Sequence, residues 1–207
     1  MIVLGAGGHA TEVVELLLRL GYGTSQIWLA DTRESVTDKP VTVNGFPVSH
    51  SLRSFSSGDA FVVGTGNPLL RKKLLAEGLA AGLKPHTLIG ASTLVAQNGV
   101  ILEEAVLVME MGYLGPAVHI GKGTLLNTGA QVHHDSRVGE FCEICPGVHI
   151  SGNCNIGNEV LIGTGAVVLP GIHIGNGAKI GAGAVVTENI PAGATAVGIP
   201  AKIKSLG

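Results

Sequence analysis

Residues Ile150 to Val186 read ISGNCNIGNEVLIGTGAVVLPGIHIGNGAKIGAGAVV, and every sixth of them is aliphatic: Ile150, Ile156, Ile162, Val168, Ile174, Ile180 and Val186. Stepping back toward the amino terminus, the same period continues through Ile144, Val138, Val132, Leu126, Ile120, Leu114 and Val108 to Leu102. Fifteen successive positions are therefore Leu, Ile or Val. Gly follows the aliphatic residue at 121, 139, 157, 163, 175 and 181, and compact residues such as Thr124, Ala130, Ser136, Cys142, Cys154 and Ala166 stand two positions before it. A step of six is a multiple of two, so an extended chain keeps the same side chain inward at every step. Gly beside each aliphatic residue suits a sharp corner, including one at positive φ. Three hexads close a triangular coil, and residues 18 apart stack about 4.8 Å above one another. No coil buries its own face, so stacked neighbours complete the core. Fifteen hexads amount to five coils, beginning near Pro85.

Composition agrees. Gly is 32 of 207 residues while aromatics are 3%, roughly twice and well below their average shares. Net charge is −2, without the basic excess that nucleic acid or an anionic membrane surface requires. The three cysteines, Cys142, Cys145 and Cys154, are an odd number and read as small buried fillers in a reducing compartment. The start of the chain has no charged, apolar leader pattern, and no run approaches the roughly 18–20 apolar residues of a membrane span. The expected location is the cytoplasm.

The first 84 residues carry a different pattern. An apolar strand at Met1–Leu4 leads into Gly5-Ala6-Gly7-Gly8-His9, then a helix to about Leu20 with Ala10, Val13, Val14 and Leu17 on one face. Further strands are predicted at 26–30, ending at Asp31, and at 59–63, followed by Gly64-Thr65-Gly66. A second helix opens with Asn67 as N-cap and Pro68 at its first position. This order describes a small parallel α/β domain. Gly5–Gly8 between strand and helix is a candidate phosphate cradle, because helix N-terminal amides attract anions. Asp31 closes the second strand, where an acid meets a ribose in dinucleotide folds; Ala10 replaces the last Gly of that fingerprint. Both Gly-rich turns fall at the carboxyl edge of one sheet, where ligands bind.

Two histidine groups stand out. His119, His149 and His173 share the position before the aliphatic residue. His119 and His173 fall on one face about 14 Å apart, and His149 falls on another. With Zn–N near ~2.0–2.1 Å, they do not share a metal within one subunit. His133-His134-Asp135 instead interrupts the repeat at a corner, where Gly would follow Val132. An imidazole there is a natural general base at neutral pH, and an adjacent carboxylate can set its tautomer. Adjacent residues of a strand point apart, but a corner relaxes that rule.

The run Val132–Phe141, with Pro146-Gly147, Ile162–Ala166, Gly181–Val186 and Val197–Lys202, resembles the left-handed β-helix acetyltransferases of nucleotide-activated amino sugars and the related sialic-acid O-acetyltransferases. The resemblance extends to the G-x-G-G-H-like turn at Gly5–His9 and so spans the chain. It implies a substrate domain at 1–84, a left-handed β-helix acetyltransferase domain at 85–190 and a tail at 191–207 near coenzyme A. It further implies acetyl-CoA as co-substrate, no metal, and homotrimers with active sites between subunits. By the same resemblance His134 is the catalytic base, Asp135 its partner, and Gly152 the amide facing the thioester carbonyl. Gly5, Gly7, Gly8, His9, Asp31, Gly64, Thr65 and Asn67 would hold the nucleotide-linked sugar. Gly165, Ala166, Gly183, Ala184 and Lys202 would follow the coenzyme. The role of His133 stays open. N-acetylation of a 4-amino sugar is the leading expectation; sugar O-acetylation, a non-catalytic sugar-nucleotide-binding trimer and a metal hydratase are the alternatives.

Overall fold

A computed structural model describes residues 1–32 and 42–205, so the last two residues of the expected tail lie outside the described ones. The first part is a sheet in the order β3-β4-β2-β1-β5-β6. Its strands are β1 (Ile2–Leu4), β2 (Trp28–Ala30), β3 (Thr42–Val43), β4 (Phe46–Ser49), β5 (Ala60–Val63) and β6 (Lys84–Pro85). β1 lies centrally and pairs in parallel with β2 and β5, as apolar strands followed by helices should. Helix α1 (Gly8–Arg19) covers one face and α2 (Pro68–Ala80) the other. The Asn67 carboxamide caps α2 by accepting from the Leu70 N–H at 2.9 Å. The β3-β4 hairpin turns through Asn44 and Gly45, both at positive φ, and adds β4 in parallel beside β2.

The second part is the left-handed parallel β-helix, with short strands spread over three sheets. Its first face runs from Leu88–Ile89 to Thr195–Val197, its second from Leu94–Val95 to Val185–Val186, and its third from Ile101–Leu102 to His173–Ile174. Val108, Leu114, Ile120 and their successors at the six-residue step fill the interior, fully or almost fully buried. The helix is longer than five coils. Strands at Leu88–Ile89 and Leu94–Val95 precede the ladder, and an Ile190 bridge and Thr195–Val197 follow it. The early strands escape the six-step pattern because one extra residue lies between Val95 and Ile101. Leu94 pairs with Tyr113, nineteen residues on, whereas Ile101 pairs with His119, eighteen residues on.

The corners correct one expectation. Positive φ occurs three positions after the aliphatic residue, as at Gly123 (φ 64), Asp135 (φ 59) and Asn153 (φ 59), and not at the Gly that follows it. The adjacent Gly serves another need. A Cβ on Gly121 would lie 2.6 Å from the Gly139 carbonyl carbon of the next coil. Coils at strand spacing leave no room for a side chain there.

Helix α1 is sandwiched between its own sheet and the first face of the β-helix, where Leu88, Leu107 and Leu125 point outward yet are buried against it. Arg71 of α2 completes the junction. Its Nε donates to Gly123 O at 2.7 Å, and its terminal nitrogens donate to the carbonyls of Thr65 (3.1 Å), Gly66 (2.7 Å), Phe141 (3.3 Å) and Cys142 (2.7 Å). Burial lowers its pKa to about 10, so it remains charged at neutral pH. One buried guanidinium thus ties the Gly64–Gly66 turn to the corner between the third and first faces.

Candidate active site

The chemistry-bearing residues fall into three groups, two at different corners of the triangular prism and one in the α/β domain. The first lies at the corner between the second and third faces. The strand Gln131–Val132 ends there, and Asp135 takes the left-handed conformation that turns the chain. Its N–H donates to Pro116 O of the coil before, and Asn153 N–H of the coil after donates to His134 O. This geometry brings the two side chains together: His134 Nδ1–H donates to Asp135 Oδ2 at 2.8 Å. A carboxylate accepts only, so the neutral ring keeps its lone pair on Nε2. Both side chains are 62% exposed.

The imidazole edge lies over Gly152, one coil on. A Cβ at Gly152 would meet His134 Cε1 and Nε2 at 2.5 Å each. Gly152→Ala is therefore expected to displace the ring from Asp135 while leaving the corner's fold intact. The check is kcat, which should fall at least about tenfold if His134 takes part in the chemistry; an unchanged kcat removes Gly152 from the site. His133 faces away, its ring centroid 5.1 Å from that of Tyr113.

The second group is a cavity of about 210 Å³ lined by the two Gly-rich turns, Gly5–His9 and Gly64–Gly66, with Leu70. Gly5 (φ 113) donates its N–H to Ala30 O at 2.7 Å, and Gly64 donates to Leu4 O at 2.8 Å. The turns face each other at the carboxyl edge of β1 and β5, as the sheet-edge argument requires. Asp31, by contrast, is 2% exposed and engaged within the domain. Asn67 spends its side chain on the helix cap. Glu143 of the β-helix reaches the back of this cavity, its Oε1 2.7 Å from where a Cβ on Gly66 would sit; burial pushes its carboxyl pKa up, and Arg71 pulls it down. The sequence does not mark Arg71 or Glu143 as site neighbours, because Arg71 lies outside any repeat or turn motif and Glu143 holds an outward ladder position that the six-residue period does not single out. A larger cavity of about 550 Å³, lined by Trp28, Pro47 and Phe55, opens at the amino ends of the strands, opposite the Gly-rich turns.

The third group occupies the corner between the first and second faces. Gly165 and Gly183 turn there at positive φ, and Ala166 and Ala184 bury their methyl groups in the prism. Lys202 belongs elsewhere: its Nζ lies 3.8 Å from Glu188 Oε1. Glu188, Pro170, Gly152 and His134 are spaced eighteen apart, so they form one column along the axis, about 14 Å from His134 to Glu188 at strand spacing.

His119 and His173 stand in the third face with two strands between them, and His149 in the second. His119 Nε2 pairs with Glu103 at 2.8 Å. Among the described residues, no three His, Cys, Asp or Glu side chains converge as a metal site. No described helix is long and apolar enough to cross a membrane.

Comparison with known proteins gives matches along the whole chain. Residues 1–77 match the family described as the PglD N-terminal domain, and residues 153–188 match the bacterial transferase hexapeptide family. The acetyltransferase domain of PglB from Neisseria gonorrhoeae, solved in complex with acetyl coenzyme A, is 36% identical over 98% of this chain and 97% of its own, with a TM-score of 0.86. Perosamine N-acetyltransferase from Caulobacter crescentus, solved as a histidine-to-asparagine variant with CoA and GDP-perosamine, is 32% identical over 99% of this chain and 96% of its own, with a TM-score of 0.88. WeeI from Acinetobacter baumannii is 30% identical over 98% of both chains, with a TM-score of 0.80.

Proposed function

The chain belongs to the hexapeptide-repeat acetyltransferases with a PglD-type N-terminal domain, and from that membership we propose that it moves the acetyl group of acetyl-CoA onto the amino group of a nucleotide-linked 4-amino sugar. The observation that carries the mechanism is the His134–Asp135 pair, with its Nε2 lone pair set over Gly152. The attacking amine loses a proton as its nitrogen bonds to the thioester carbonyl, and Nε2 receives it. Asp135 holds the ring in the tautomer that leaves Nε2 free and stabilises the imidazolium that forms. The Gly152 N–H faces the oxyanion of the tetrahedral intermediate. The intermediate then collapses by breaking the C–S bond, and the proton held on His134 Nε2 passes to the departing sulfur, so CoA leaves as the thiol and the base is restored.

Three features support a site shared between copies of the chain. The base and the Gly165–Gly183 turns lie at different corners of the prism and the Gly-rich cavity is tied by Arg71 to the third, so a single chain does not bring them together. A trimer of parallel prisms sets the His134 column of one chain against its neighbour. In that groove acetyl-CoA lies along the column with its thioester at Gly152, the neighbour's Gly165 and Gly183 turns flank its pantetheine arm, and Lys202 exchanges Glu188 for a phosphate.

The test is thiol release from acetyl-CoA against UDP-, GDP- and dTDP-linked 4-amino sugars and free sialic acid. Turnover with one nucleotide amino sugar is expected; turnover with sialic acid alone overturns the acceptor assignment. Gly7→Asp probes the cradle. Gly7 is the N-cap of α1 and its missing Cβ points into open space, so Asp should stabilise the helix by a few tenths of a kcal/mol. The same carboxylate repels a diphosphate. The expected result is a KM for the acceptor raised at least about tenfold, with that for acetyl-CoA unmoved. An unmoved acceptor KM places the diphosphate elsewhere.

A further inference from the structure

His9 sits at the start of α1 and is one of the residues around the Gly-rich cavity. Its Nδ1–H donates to Glu12 Oε2 at 2.8 Å, and the side chain is 11% exposed. The other nitrogen, Nε2, is buried and the one such side-chain polar atom without a hydrogen-bond partner among the described residues. Native folds rarely leave a buried acceptor unsatisfied, and such an atom calls for an explanation. In the neutral ring Nε2 offers a lone pair. A diphosphate offers only acceptors, so this tautomer repels it; a doubly protonated ring donates to it.

We propose that binding of the diphosphate in this cavity is coupled to uptake of one proton by His9, which becomes a Glu12-backed imidazolium donating Nε2–H to a phosphate oxygen. The inference rests on the nucleotide-sugar reading of the cavity and adds to it. The proton comes from solvent, and no covalent bond changes.

The surrounding charges set the direction. Without ligand, burial holds the His9 pKa below its ordinary value, Glu12 opposing and the Arg71 guanidinium adding to the decrease. Beyond Gly66 stands Glu143 of the β-helix. The neutral ring is therefore the resting form at neutral pH. A bound diphosphate brings two negative charges to the helix N-terminus and raises the pKa of the imidazole beside it. With the bound pKa above the free one, the extra affinity is complete below the free pKa and is lost as pH rises through the bound pKa.

The experiment is calorimetric titration of the full chain with UDP-glucose, GDP-mannose and dTDP-glucose, whose diphosphate diesters do not titrate near neutrality. Each titration is run in two buffers of different ionisation enthalpy. For whichever sugar nucleotide binds, uptake of about half to one proton per ligand is expected near pH 7. Affinity should strengthen as pH falls from about 8.5 to 6.5, by up to about tenfold per unit. His9→Gln should bind with no proton uptake and a flat pH profile, and Glu12→Gln should move the wild-type profile to lower pH. Wild-type binding without proton uptake, or uptake that persists in His9→Gln, overturns the proposal and leaves the nucleotide reading standing. Absence of binding by all three sugar nucleotides removes that reading and the proposal with it.

Discussion

Replacing His134 by Asn is expected to lower kcat by about 10²–10⁴-fold, the usual contribution of a positioned general base. Acetyl-CoA and the acceptor should still bind. Asn fills a similar volume and accepts a hydrogen bond, but it takes up no proton at neutral pH, so the loss falls on the chemical step and KM stays near its wild-type value. The His134–Asp135 contact of 2.8 Å is made by two side chains that are each 62% exposed. Water competes for such a pair, so its coupling is modest. Asp135→Asn is accordingly expected to cost on the order of tenfold, well below the loss at His134. Turnover by His134→Asn within a few-fold of wild type would assign proton transfer to another group. His133 is the obvious substitute by sequence adjacency, but its ring packs toward Tyr113, away from Gly152.

The pair itself was legible in the sequence, because a His-Asp corner in a ladder of Gly and small residues breaks a rule the scaffold otherwise keeps. The aliphatic ladder from Leu102 to Val186 was legible for the same reason, a strict period over many coils. What escaped follows from single departures from period. One extra residue between Val95 and Ile101 shifts the frame and hides two strands. The β3-β4 hairpin carried its signal in Asn44-Gly45, a dipeptide suited to a tight turn, but its strands are only two and four residues long. Asp31 closes β2 as the acid of a dinucleotide fold does, and its burial is a feature that local pattern does not disclose. Arg71 could not be found at all from local pattern, since it is one of several charged residues on α2 and its value lies in carbonyls 52 to 71 positions away. The arithmetic of eighteen also holds more than a reading by motif extracts from it. His134, Gly152 and Glu188 share a column, whereas Gly165 and Gly183 are offset from it, so the residues named together for the coenzyme stand on two corners.

That offset leads to a sharper test of the shared site. Combining His134→Asn chains with Gly7→Asp chains, each carrying a different affinity tag, and selecting particles that hold both tags is expected to give more activity than either parent when the acceptor is held far below its KM, where both lesions slow turnover. In a closed ring of three, adjacent chains meet head to tail at three junctions. Any ring containing both variants has one junction at which an intact His134 faces an intact Gly7 cradle across the interface. The other junctions lack one partner or both. Doubly selected trimers should therefore turn over at about one third of the wild-type rate, whether they hold two copies of one variant or of the other. If base and cradle served the same chain, every site in every mixed ring would carry one lesion, and the mixture would be no more active than its parents. The geometry favours the first outcome, because the cavity is tied by Arg71 to the corner between the third and first faces, while His134 stands at the next corner with the third face between them. A rigid, fully buried prism interior leaves no motion that could bring those corners together. Recovery near one third would establish that the substrate held by one chain is deprotonated by its neighbour.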